Sequence, residues 1–291
     1  MTDPLATPLA DPLTEPFGAR LRTAMDTRGP LCVGIDPHAA LLASWGLNDD
    51  VAGLERFAMT VVEALADRTA VLKPQSAFFE RFGSRGVAVL EKAAAAARAA
   101  GALVLMDAKR GDIGSTMGGY AAAFLAKDSP LFSDALTVTP YLGYESLRPA
   151  LEAAHVSGSG IFVVTLTSNP EGGEVQRAVA ANGATVGQAM LAHIAAENAG
   201  AAPLGSVGAV VGATLADPGA DLMVNGPLLA PGIGAQGATP ADLPALFGRA
   251  LRNVVPSASR SVLRHGPDVA ALRRAAELLA DEVRTVVGQN G

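Results

Sequence analysis

Leu103-Val104-Leu105-Met106-Asp107-Ala108-Lys109-Arg110-Gly111-Asp112 sets the architecture of this chain, because an apolar stretch runs straight into alternating charges, as a strand does where it emerges at a site. Residues two apart on a strand share a face, so Asp107 and Lys109 are expected to point the same way. Gly111 lets the backbone turn and brings a second carboxylate, Asp112, just after the ordered segment. An acid-lysine-acid series costs desolvation energy unless its members are paired or put to use.

Outward from this stretch, short β-branched apolar runs alternate with Ala-rich segments of helical period. Strands are predicted over 31–36, 70–75, 103–110, 134–140, 160–167, 207–214, 228–234 and 253–259, with helices over 51–67, 85–100, 113–127, 145–154, 240–249 and 268–287. Eight strands with helices between them imply a closed (β/α)8 TIM barrel, a fold whose sites lie at the C-terminal ends of the strands. Residues 168–206, with a helix over 186–198, are too long for a simple connection and are read as an insertion or lid between strands 5 and 6. Residues 1–16 read as a loosely ordered N-terminal arm and 17–291 as a single barrel catalytic domain.

Composition agrees. The chain has 291 residues, which allows either two ordinary domains or one large α/β barrel of about 250 residues with extensions. It holds 28 acidic against 22 basic residues and no basic run, which argues against a nucleic-acid surface. Cys32 is the only cysteine, so no disulfide forms within the chain and no thiolate metal site is expected; a reducing cytoplasm fits. Neither a signal peptide nor an apolar run long enough to span a bilayer is evident, so no membrane partner is expected.

On this layout polar residues converge at one mouth. Asp36 closes the first strand, Lys73 the second, and Asp107 and Lys109 the third. Only four lysines stand against eighteen arginines, and two of the four end strands, which points to a task that a guanidinium cannot do, namely giving up a proton. After the seventh strand comes Ala230-Pro231-Gly232-Ile233-Gly234-Ala235-Gln236-Gly237, and after the eighth Ser259-Arg260-Ser261. Barrel phosphate sites often lie at these two loops, where glycines let N–H groups converge and an arginine supplies a fork. The same letters match a dinucleotide fingerprint, but the run falls late in the chain and no acidic residue follows about 20 positions on. The four histidines show no metal-ligand spacing, and Cys32 reads as a small core residue.

The ordered set Gly34-Ile35-Asp36-Pro37, Lys73-Pro74-Gln75 and Asp107-x-Lys109-x-x-Asp112-Ile113-x-x-Thr116 resembles the orotidine 5′-phosphate decarboxylase family, in particular its longer bacterial subgroup. The resemblance implies a cofactor-free, metal-free barrel that converts orotidine 5′-phosphate to UMP and carbon dioxide as a homodimer with shared sites. It implies that Asp107 and Lys109 serve one site while Asp112, Ile113 and Thr116 reach into the neighbour's. Asp36 and Lys73 would hold the ribose hydroxyls and the charge network, and Pro231, Gln236, Gly237 and Arg260 the phosphate end. Ser168 would meet the pyrimidine, with Thr167 as its rival because the strand ends Leu166-Thr167-Ser168-Asn169-Pro170. Alternatives are a magnesium-dependent sugar-phosphate decarboxylase or aldolase on the same barrel, a Schiff-base aldolase using Lys109, and a non-catalytic nucleotide-binding protein.

Overall fold

All eight predicted strands form, the third over its full predicted range and the others trimmed by up to three residues where the chain leaves the ladder. In the computed structural model, which describes residues 15–289, they are β1 Cys32–Ile35, β2 Val71–Pro74, β3 Leu103–Arg110, β4 Ala135–Val138, β5 Gly160–Leu166, β6 Val207–Val211, β7 Leu228–Pro231 and β8 Val254–Ala258. Neighbours in the chain pair in parallel, and β8 pairs back onto β1 to close the barrel. Residues 1–14 of the expected N-terminal arm lie outside the described residues. No described helix is long and apolar enough to cross a membrane.

Strand alternation produces two apolar layers. Cys32, Val71, Leu103, Leu105, Ala135, Phe162, Val210, Leu229 and Val255 point into the barrel and form one cluster, while their sequence neighbours Val33, Leu72, Val104, Met106 and Leu136 face the helices in another. Continuing the inward series along β3, Leu103, Leu105, Asp107 and Lys109 climb from packed core to open mouth.

The bottom of the barrel is sealed by a helix absent from the sequence reading, Phe17–Arg28, whose buried Phe17, Leu21 and Met25 follow a four-residue spacing into the inner cluster. Phe17 meets Phe162 edge-on at a centroid distance of 6.0 Å. Arg20 anchors this helix, donating to Asp134 Oδ1 at 2.5 Å and to the Gly158 carbonyl at 2.9 Å.

The outer helices largely match expectation. Val51–Leu65 starts at Asp50, whose carboxylate accepts the Gly53 N–H at 2.8 Å. The predicted helix over 240–249 is instead a 3₁₀ turn Pro240–Asp242, a short helix Leu243–Phe247 and a 3₁₀ run Gly248–Asn253. Gly248 at φ +46° breaks the helical path there. The segment read as an insertion holds two short turns, Pro170–Gly172 and Gly173–Gln176, and the expected helix, Val186–Glu197, which opens with a reciprocal Thr185–Gln188 capping box.

Candidate active site

Three inward positions carry the charge. Lys73 Nζ lies 2.7 Å from Asp107 Oδ2, and Lys109 Nζ lies 2.6 Å from Asp107 Oδ1, so one carboxylate bridges two ammonium groups. Lys73 and Asp107 are each 8% exposed in their side chains, whereas Lys109 is 49% exposed and reaches toward the opening. Burial alone would lower the Lys73 pKa, but Asp107 and then Asp36 outweigh it and hold the ammonium well above the usual lysine range. Burial would raise Asp107, yet Lys73 and Lys109 together drive its carboxyl well below the usual carboxylate range. Deeper in the barrel Cys32 is fully buried, and burial pushes its thiol up to about 12 against the opposing pull of Lys73, a small core residue as expected.

Lys73, Asp107 and Lys109 line a cavity of about 270 Å³ at the C-terminal mouth, with Asp36, Gln75, Thr137, Val164, Thr167, Pro231, Gln236, Ser257, Ser259 and Arg260 among its other walls. The carboxylate chain and the glycine-rich loops therefore share one chamber. In the loop after β7, Gly232, Gly234 and Gly237 all take positive φ, and a Cβ on Gly234 would lie 2.7 Å from that of Ser261, so glycine is needed for the two loops to meet. Asp36 Oδ1 and Ser259 Oγ are buried without a hydrogen-bond partner among the described residues, as groups awaiting a polar ligand are.

Several expected residues stand elsewhere. Thr167 lines the cavity while Ser168 is exposed beside it. Gln176 fixes Thr167 from both sides: its Oε1 accepts the Thr167 N–H at 2.8 Å, and its Nε2 donates to Thr167 Oγ1 at 2.8 Å. Gly237 lies just past the cavity wall, with its N–H donated to the Gly234 carbonyl at 3.0 Å. Asp112, Ile113 and Thr116 are outside the cavity as well. Asp112 Oδ1 accepts the Ile113 N–H at 2.8 Å, and the Ile113 side chain is 62% exposed.

The sequence reading passed over Gln75, Thr137, Ser257 and Ser259 as site residues. Alternation alone points to three of them, since Gln75 lies two beyond Lys73 and Ser257 and Ser259 share the inward parity of Val255; Thr137 shares that of Ala135, but nothing in the sequence sets it apart from other β-branched strand residues. Among the described residues no group of three or more His, Cys, Asp or Glu side chains is placed to hold a metal ion.

A closed parallel barrel with two ammonium groups on one buried carboxylate, in a chamber shared with a glycine-rich loop and Arg260, defines a (β/α)8 barrel with a charged cavity at its C-terminal mouth. Residues 29–275 match the model of the Orotidine 5'-phosphate decarboxylase / HUMPS family, and the chain belongs to that family. It is 76% identical over 274 residues to the orotidine 5'-phosphate decarboxylase of Streptomyces coelicolor, covering 94% of this chain and 99% of that one. The enzyme of the same name from Salinispora arenicola is 65% identical over 269 residues, covering 92% and 97%. Among solved structures, a Streptomyces avermitilis protein superposes with a TM-score of 0.93 at 75% identity, covering 94% of this chain and 96% of that one. Leishmania donovani OMP decarboxylase does so at 0.74 with 28% identity, covering 94% and 99%.

Proposed function

We propose that this protein is a carboxy-lyase that converts orotidine 5′-phosphate to UMP and carbon dioxide, the last step of de novo pyrimidine biosynthesis. The observation that carries the reading is Lys109 Nζ, held 2.6 Å from Asp107 in the chamber that also contains Gln236 and Arg260.

The bond between C6 and the carboxylate breaks with its electron pair left on C6, in the ring plane, where the ring carbonyls cannot delocalise it. An external cation must meet that charge. The Lys109 ammonium does so and then transfers a proton to C6, leaving UMP and a neutral amine that regains its proton from solvent. Asp107 fixes that ammonium and sets a negative charge against the departing carboxylate, while Lys73 keeps Asp107 ionised. At the far end of the chamber, Gln236, Arg260 and the Pro231 loop hold the phosphate, whose binding energy positions the ring. Asp36 takes the ribose hydroxyls, and Thr167 or Ser168 meets the pyrimidine edge.

We further propose that the working unit is a homodimer of barrel domains spanning residues 17–291, each preceded by the arm 1–16. What supports it is the exposed apolar group Ile113, Tyr141 and Leu142, beside the cavity residues of β3 and β4. In that assembly Asp112, Ile113 and Thr116 complete the neighbour's site. A sugar-phosphate reaction on a divalent cation is less well supported, because Asp107, one of the two carboxylates lining the chamber, is already engaged by two ammonium groups.

The test follows the ultraviolet absorbance of orotidine 5′-phosphate with purified protein and a chelator. Absorbance is expected to fall with wild-type protein. Lys109→Ala is expected to lose at least about a thousandfold in kcat while keeping UMP affinity within about threefold. No change with wild-type protein overturns the assignment, and equal loss of turnover and UMP binding overturns the proton-donor role.

A further inference from the structure

β3 and β4 do not run in step at the mouth. Met106 pairs with Leu136 and Arg110 with Val138, so Asp107, Ala108 and Lys109 bulge out opposite the single residue Thr137. Lys109 sits at φ +47°, a left-handed conformation shared by only one other non-glycine residue among those described, Asn225. A bulge of this kind removes the regular ladder partner of its backbone N–H groups and costs strain unless something over-determines it.

Thr137 supplies that constraint. Its side chain is buried, and Oγ1 accepts the Lys109 N–H at 3.0 Å while its hydroxyl proton is donated to Asp107 Oδ1, also at 3.0 Å. Asp107 Oδ1 in turn receives Lys109 Nζ at 2.6 Å. The result is a closed ring: the Lys109 main chain, the Thr137 hydroxyl, the Asp107 carboxylate and the Lys109 ammonium.

We infer that Thr137 is a positioning residue for catalysis, whose hydroxyl pins the β3 bulge and so aims the Lys109 ammonium at the reacting carbon. The inference rests on the decarboxylase reading above. A hydroxyl is required rather than any side chain of that volume, since the one oxygen must accept from the Lys109 N–H and donate to Asp107. Valine fills the same space but leaves the Lys109 N–H without a partner and removes a donor from Asp107. Serine keeps both bonds.

The experiment compares wild type, Thr137→Val and Thr137→Ser by steady-state kinetics on orotidine 5′-phosphate and by the dissociation constant of UMP. Thr137→Val is expected to lower kcat by about 10- to 100-fold, because a misaimed ammonium stabilises only the transition state less well. The KM and the UMP dissociation constant should stay within about threefold. Thr137→Ser should restore kcat to within about threefold of wild type. Thr137→Ala carries the valine expectation if the valine protein does not fold. An unchanged kcat in the variant lacking the hydroxyl, a serine variant as slow as the valine one, or a parallel loss of UMP affinity each overturns the inference. Absence of turnover by wild-type protein overturns the underlying reading instead, and this inference with it.

Discussion

Asp107 is buried and Lys73 is buried against it, so this carboxyl contributes to the acid side of the stability profile. Its pKa is depressed on folding; the stabilisation is therefore fully present above the unfolded carboxylate value of about 3.9 and is lost as pH falls toward the lower folded value. Lys73 is shifted upward, so its share is complete below about 10.4 and fades only as pH rises past that. Urea unfolding should show wild-type stability falling as pH drops below about 4, with a shallower fall in Asp107→Asn. At neutral pH the same variant should be less stable by about 3–5 kcal/mol, the cost of stranding a buried charge, borne by Lys73 because the Lys109 ammonium is half in solvent. Equal slopes for the two proteins would remove Asp107 from the acid transition. Both lysines were legible in the sequence because alternation and their rarity marked them. Thr137 was not, because a threonine inside a strand looks like any β-branched residue until a bulge is seen opposite it.

The strands were the clearest elements to read, since eight short apolar runs separated by segments of helical period leave little choice of architecture. The Phe17–Arg28 helix was harder to see. Its apolar residues recur every four positions, but charged Arg20, Arg22, Asp26 and Arg28 intervene, and a repeating strand-helix unit has no place for a helix before the first strand. Its role becomes visible only when the barrel closes and leaves an apolar floor around Phe162 and Gly160; a Cβ on Gly160 would lie 2.3 Å from the Phe17 ring. Phe17→Ala should therefore cost about 3–5 kcal/mol of unfolding free energy through the cavity it leaves. Turnover per folded molecule should be unchanged, since the plug lies at the opposite end of the barrel from the mouth. A loss below about 1 kcal/mol in denaturant titration would mean that the helix rests on the barrel without sealing it.

At the scale of the whole molecule, the family pattern places Asp112, Ile113 and Thr116 in a site, while a single chain leaves all three outside its own cavity. In the proposed dimer they serve a mouth that belongs to another copy, where neither sequence periodicity nor one barrel's geometry can deliver them, so that reading rests on resemblance alone. The loops after β3 and β4 lie close together, for a Cβ on Gly111 would fall 2.4 Å from the Thr139 carbonyl oxygen. Exposed Ile113, Tyr141 and Leu142 thus gather on one side of the mouth, and a two-fold axis there would exchange the post-β3 segments. Subunit mixing tests this. Lys109→Ala and Asp112→Ala should each be nearly inactive alone, since one lacks the proton donor and the other the partner carboxylate. Unfolded and refolded together in equal amounts, half the dimers pair one of each, and each such dimer rebuilds one intact site of two, so about a quarter of wild-type activity should return. If every site used its own Asp112, mixing would return none, and the recovered activity therefore reports directly whose carboxylate faces Lys109.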